Sequence, residues 1–225
     1  MNSIYKVIKF KSNNSKEIDD QISIEEPLEI IIKYKNKDNW IENPISITMR
    51  TPGDDKDLVR GFLFNERVIE KLEYIEKIEE TGSPVGQYKL KNKVVVTINN
   101  SENIDIDKIK RNFLTNSSCG VCGKTSLDSL EIIKKDKIKK SIPKIPKDII
   151  LKAPDVLRKN QSEFIKTGGI HASGLFKNNG DIVAIKEDVG RHNALDKLIG
   201  FVLNKKLLDT SSQFLACSGR LNFDL

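Results

Sequence analysis

A charge-rich stretch over residues 107–147 separates two segments that each carry their own apolar patterning. Its lysine run from Lys134 to Lys147 contains no aromatic residue, and Ser141–Pro146 holds two prolines, which favours extended backbone there. The bridge divides the chain into an N-terminal α/β part over 1–106, a linker carrying the loop Cys119-Gly-Val-Cys122 over 107–147, and a second part over 148–225. At 225 residues, 38% hydrophobic and 31% charged, the chain has the composition of a globular protein with a real core.

The first twenty residues are polar and read as frayed. Leu28-Glu-Ile-Ile-Ile32, Ile45-Ser-Ile-Thr-Met49 and Val94-Val-Val-Thr-Ile98 are β-branched and predict strands, with a turn over 82–86. Arg50-Thr-Pro-Gly53 breaks the chain, after which Asp54 or Asp55 can cap a helix with Leu58, Phe62 and Leu63 inward. Within the bridge, Thr125 or Ser126 can cap a short helix bearing Leu127, Leu130 and Ile133.

In the last part, Pro154 suits a first helical position, and that helix should run to Gly168-Gly169. Asn178-Asn-Gly-Asp181 predicts a hairpin between strands at 170–176 and 182–185. Asn193 with Asp196 resembles a capping box opening a helix whose stripe is Ala194, Leu195, Leu198, Ile199 and Val202. Phe214-Leu-Ala-Cys-Ser218 reads as a buried strand, with Cys217 an inert interior thiol. Because the chain stops soon afterwards, at Leu225, a covering element is expected beyond it and the sequence reads as incomplete at its C-terminus.

Composition narrows the function. The net charge of +6 comes with only 6% aromatics and no basic stripe interleaved with rings, which argues against nucleic-acid binding. The first twenty residues lack an apolar signal region, and no run approaches a membrane span, so a cytoplasmic protein is expected. Three cysteines in such a chain do not make a disulfide framework.

The sharpest chemical signal is Ser117-Ser-Cys-Gly-Val-Cys-Gly-Lys124. Flanking glycines leave both sulfurs accessible, and Lys124 favours the thiolate, the form that attacks a sulfane sulfur and carries it as a persulfide. Other readings stand beside this one. Half of a zinc site needs further ligands, for which only Cys217, His171 and His192 are available. A thioredoxin-like disulfide should follow a strand directly, and here the approach is polar. Zinc-deaminase chemistry needs His-x-Glu, whereas His171-Ala-Ser173 has serine at the glutamate position.

A second constellation, Glu187-Asp-Val-Gly-Arg-His192, precedes a predicted helix and makes an anion site from backbone N–H groups and Arg191. Asp188 can orient His192, meet a ligand, or form a plain loop ion pair with Arg191. His171 after Gly168-Gly-Ile, and Arg220 in Ser218-Gly-Arg220, complete the residues of one polar cleft.

Met49-Arg-Thr-Pro-Gly53, Gly61-Phe-Leu63, Ser118-Cys-Gly-Val-Cys-Gly-Lys124, Thr167-Gly-Gly-Ile-His-Ala172, Glu187-Asp-Val-Gly-Arg-His-Asn-Ala-Leu-Asp-Lys197 and Ser218-Gly-Arg220 occur in this order. The set resembles the formate dehydrogenase accessory sulfurtransferase family from about Glu25 to the last residue. The resemblance implies a sulfurtransferase that takes sulfur from a cysteine desulfurase and delivers it to the molybdenum bis(molybdopterin guanine dinucleotide) cofactor of the formate dehydrogenase catalytic subunit. It places the persulfide on Cys119 and gives Cys122 a transfer or supporting role, and the polar cleft read from His171, Asp188, Arg191, His192 and Arg220 is then the expected cofactor site. It also implies a homodimer, no permanently bound metal, and an α/β (α+β) chain whose C-terminal part is cytidine-deaminase-like without zinc. Such proteins continue past Ser-Gly-Arg with a further cofactor-binding segment. A zinc-binding or redox chaperone of formate dehydrogenase is the rival, separable by metal analysis of Cys119→Ala and Cys122→Ala.

Overall fold

The computed structural model describes residues 2–12, 14–84, 88–99, 104, 144–209 and 211–220. The loop with Cys119 and Cys122 and the helix expected after Thr125 lie outside them. The architecture is mixed α+β, with three sheets.

Strands β1 (Asn2–Lys11) and β2 (Asn14–Ser23) form a two-stranded antiparallel sheet where fraying was expected. Cross-strand pairs form despite the polar composition. Val7 sits opposite Ile18, Lys6 opposite Asp19, and Lys6 pairs with Glu17 at 3.1 Å. Ser12 adopts φ 54 where the chain reverses.

The second sheet has the order β4-β3-β6-β5, from β3 (Glu26–Asn36), β4 (Asn39–Arg50), β5 (Ile75–Thr81) and β6 (Lys93–Ile98). Alternate residues Leu28, Ile30, Ile32 and Tyr34 of β3 join Val94, Val96 and Ile98 of β6 on one buried face. Helix α1 (Asp55–Asn65) covers that face with Leu58, Val59 and Leu63. Gly53 and Asp54 both have positive φ, +105° and 57°, which turns the chain sharply into α1. No side-chain cap forms. Asp55 is instead clamped by Arg50 through two 2.9 Å hydrogen bonds, and Asp54 pairs with Lys186 at 2.9 Å.

The third sheet has the order β8-β7-β9, from β7 (His171–Lys177), β8 (Ile182–Asp188) and β9 (Gln213–Cys217), with β7 antiparallel to both neighbours. The predicted hairpin is present, with Gly180 at φ 92. Helix α4 (Arg191–Asn204) packs Leu198 and Val202 on Leu175 and Ala184. Helix α2 (Lys147–Lys159) supplies Leu157 against Ala172 and Phe176, with Phe214 stacked on Phe176 at 5.4 Å. The strand at Phe214 is half-exposed rather than buried, because β9 lies at the sheet edge.

Three helix expectations need correction. Pro154 lies inside α2, which starts just after Pro146. Ala153, Val156 and Leu157 form one inward stripe across the proline, and their burial outweighs the lost backbone hydrogen bond. The helix also does not run on to Gly168. It ends at Lys159, and a short α3 (Ser162–Thr167) follows, closed by Gly168 at φ 69. Asn193 and Asp196 do not form a capping box, since α4 begins at Arg191 with Gly190 as its N-cap.

Helices α1 and α4 lie back to back, so two sheets flank a central helix pair. The helices meet backbone to backbone at glycines. A Cβ on Gly61 would fall 1.8 Å from the Asp196 carbonyl oxygen, and one on Gly200 would fall 1.9 Å from that of Asp57. The Asp196 carboxyl is sealed in this seam and accepts a 2.6 Å hydrogen bond from Asn65. Burial, aided by the carboxylates of Glu66 and Asp188, pushes its pKa up to about 8. The folded protein therefore holds this proton more tightly than the unfolded chain. Stability should be highest in acid as far as this group is concerned, and should fall as pH rises from about 4 through 8. Urea titrations across that range should show the decline, and Asp196→Asn should flatten it.

Candidate functional site

The segment after β4 is bolted to the start of α4 by buried polar contacts. Asp188 ends β8 fully buried, and its carboxylate accepts hydrogen bonds from Thr51 N (3.1 Å), Gly190 N (2.9 Å) and Asn193 Nδ2 (3.2 Å). Lys197, also buried, completes the set at 2.7 Å and donates to the Thr51 carbonyl at 2.7 Å. Asn193 adds a 2.7 Å bond to Met49 O and accepts one from Thr48 at 3.1 Å. Asp188 thus serves the fold. Its acceptor capacity goes to Thr51, Gly190, Asn193 and Lys197 rather than to His192, Arg191 or a ligand.

Beside this knot lies a cleft of about 490 Å³. One wall comes from the end of α2 and from α3, with Arg158, Gln161 and Phe164. The opposite wall comes from Ile170-His171 and from Cys217-Ser218 at the end of β9, with Gly168-Gly169 between. The α3 wall is held by Glu187, whose carboxylate accepts from Glu163 N and Phe164 N, both at 2.9 Å. The carboxylate thereby satisfies two of the amides a helix start leaves open. Arg158 lies over the Phe164 ring at 5.4 Å.

His171 opens β7, with Nδ1 3.4 Å from Ser218 Oγ, and Ser218 Oγ also accepts from Ala172 N at 2.9 Å. Gly219 packs where a Cβ would touch both His171 and Arg191, at 3.3 Å each. The fold therefore brings His171, Arg191 and Ser218-Gly219 together. His192 sits half-buried in the first turn of α4, and Arg220 is exposed. Cys119 and Cys122 lie outside the described residues.

Among the described residues, Gln161 Nε2 and Arg191 Nε are buried donors without a hydrogen-bond partner. Gln161 is only 3% exposed and lines the cleft. A buried donor left unmade costs about 1–3 kcal/mol. With Arg158 and His171 on the same walls, the cleft fits an anionic group such as a phosphate.

Sequence reading missed Gln161, Phe164 and Cys217 as cleft residues. A single helix through 154–168 leaves no reason for Gln161 to be special, and only the break before α3 turns it inward. Cys217 is half-buried on the cleft wall rather than sealed in the core. Among the described residues no three or more His, Cys, Asp or Glu side chains converge on a metal-sized point. No helix among them is long and apolar enough to cross a membrane.

The FdhD/NarQ family model matches residues 23–225. The chain is 36% identical over 220 residues to the sulfur carrier protein FdhD of Sulfolobus acidocaldarius, covering 98% of this chain and 77% of that protein. It is 42% identical over 209 residues to that of Picrophilus torridus, covering 92% and 73%, and 38% identical over 222 residues to that of Streptomyces coelicolor, covering 98% and 76%. A crystal structure assigned as a formate dehydrogenase accessory protein, from Desulfotalea psychrophila, superposes with a TM-score of 0.60 at 23% identity, over 98% of this chain and 76% of that one. That likeness concerns the fold.

The Asp188–Lys197 pair sets a stability prediction. Asp188→Ala leaves the Lys197 ammonium buried and uncompensated, and should cost about 3–5 kcal/mol in urea unfolding. Asp188→Asn keeps an acceptor and should cost less.

Proposed function

The chain belongs to the FdhD/NarQ family, and from that premise we propose that it carries sulfur as a persulfide on Cys119 for the maturation of a formate dehydrogenase. The observation that supports this most is the 36% identity with a sulfur carrier protein across 98% of the chain, a span that includes Cys119-Gly-Val-Cys122.

In the proposed reaction the Cys119 thiolate attacks the terminal sulfur of a cysteine desulfurase persulfide. The donor S–S bond breaks, the desulfurase thiolate leaves, and Cys119 holds the sulfane sulfur. No net oxidation occurs. Cys122 supports the transfer or takes part in it. The cargo that receives the sulfur is the molybdenum bis(molybdopterin guanine dinucleotide) cofactor, bound as substrate before it enters the formate dehydrogenase catalytic subunit.

The cleft's chemistry is consistent with such a cargo. Arg158 and His171 line the cleft and supply positive charge and ring nitrogens for phosphate oxygens, and Arg191 stands next to His171 across Gly219. His192 and Arg220 are the further candidate contacts, while Asp188 acts by holding the start of α4. A homodimer acting in the cytoplasm belongs to the same proposal. So does a cytidine-deaminase-like C-terminal part, supported by a sheet with helices α2 and α4 packed on it and by serine in His171-Ala-Ser173 where a deaminase has glutamate.

Incubation with a cysteine desulfurase and cysteine, followed by mass spectrometry, should show Cys119 heavier by one sulfur atom. Cys119→Ala should abolish that gain. An unlabelled wild-type protein, or an equal gain in Cys119→Ala, would contradict the proposal.

A further inference from the structure

The β1–β2 hairpin takes no part in the cleft, and the FdhD/NarQ match begins only at residue 23, the last of β2. A two-stranded hairpin is marginal in water without a third strand or a helix behind it. Here β2 meets α3, and Ser23 Oγ lies 2.8 Å from Thr167 Oγ1, but neither strand has a further strand beside it among the described residues. The antiparallel register puts Ile4, Ile8 and Phe10 on one face, where they are 66%, 61% and 75% exposed. The opposite face ends in Lys9, Lys11 and Lys16, all exposed. Lys9 stands directly across from Lys16, a pairing that like-charge repulsion disfavours. Among the described residues none of the three lysines has an acidic partner. The arm therefore suits a surface that is both acidic and partly apolar.

The chain itself carries such a surface. β5 is an edge of the second sheet, with β6 as its neighbour. Residues 73–80 hold four glutamates and one lysine, whereas residues 9–16 hold three lysines and no acid. Glu73, Glu76 and Glu80 are exposed and form no ion pair among the described residues. Beside them Leu72, Tyr74, Ile75 and Ile78 pack on the core and are only partly covered. Within one chain the arm packs on α3 instead.

We propose that the β1–β2 arm of one copy lies along the β5 edge of a second copy, and that the second arm returns the contact. The lysines of each arm meet the glutamates of the other edge, and Ile8 and Phe10 gain cover. Such an exchange is closed by a twofold axis and leaves no arm free for a third copy. Each arm consists of two ten-residue strands. Stable interfaces use roughly 20–30 residues a side, so an arm and an edge given by each copy suffice. Charge also sets the choice of partner. Two β5 edges repel one another, which guards them against pairing together, while a lysine-bearing arm is accepted. The inference rests on the homodimer of the proposed function and gives it a contact surface. No sulfur-transfer step passes through it.

The test is analytical ultracentrifugation of the full chain and two charge-reversed forms. One form carries Lys9→Glu, Lys11→Glu and Lys16→Glu, and the other carries Glu73→Lys, Glu76→Lys and Glu80→Lys. The wild type should be a dimer. Each reversed form alone should show a dimer dissociation constant raised about tenfold or more, since like charges then face each other. Mixed one to one, the two forms should pair as a heterodimer of near wild-type affinity, because both contacts are complementary again. Phe10→Ser, which changes no charge, should weaken the wild-type dimer in the same assay. A monomeric wild type, reversed forms that dimerise as the wild type does, or a mixture that stays monomeric would each overturn the inference. None of those results touches the labelling of Cys119. An unlabelled Cys119 in a dimer that follows the charge pattern would sink the sulfur-carrier reading and leave this one standing.

Discussion

The buried ion pair between Asp188 and Lys197 fixes the relation between the two ends of this fold. A carboxylate and an ammonium taken out of water are costly, and they are tolerated only when further hydrogen bonds complete their shells. Here the completing groups come from the turn after β4. Thr51 offers its amide to Asp188 and its carbonyl to Lys197. Two strings far apart in the chain, at 49–53 and 187–197, are therefore one structural unit. The cleft beside them inherits its shape from that unit. Glu187, next to Asp188, holds α3, and Arg191, three residues on, reaches Gly219 and the His171 wall.

The helix pair imposes a second constraint of a different kind. Gly61 and Gly200 let α1 and α4 approach until backbone meets backbone, and no side chain larger than hydrogen fits at either point. This close seam is what buries the Asp196 carboxyl and keeps it protonated near neutrality. The two sheets are thereby placed on opposite sides of one helical layer. The face of the third sheet away from α4 is left to α2, whose abrupt end before Gln161 opens the cavity.

Much of this was legible in the sequence, and the misses share a cause. β-branched runs located β3, β4 and β6, Asn-Asn-Gly-Asp marked the β7–β8 turn, and Ala194, Leu198 and Val202 of the expected α4 stripe are buried while Leu195 and Ile199 are half-buried. Local rules failed where a distant partner competed for the same residue. Asn193 and Asp196 had the spacing of a cap, but Met49, Thr48 and Asn65 claimed their side chains. Pro154 looked like a helix start until burial on both sides of it won. Cys217 sat in an apolar run, yet its strand is an edge with a cavity beside it. The polar cleft was anticipated from His171 and Arg191, while Gln161 and Glu187 became meaningful only with α3 in view. The motif richest in chemistry, Cys119-Gly-Val-Cys122, speaks through sequence and kinship alone.

These parts make one account. In the proposed function the scaffold presents the cleft and Cys119 carries the sulfur. The most direct measurement is formate dehydrogenase activity in cells whose own sulfur carrier has been removed. The wild-type chain should restore that activity, and Cys119→Ala, at equal protein abundance, should not. Full restoration by Cys119→Ala would contradict the account at its centre.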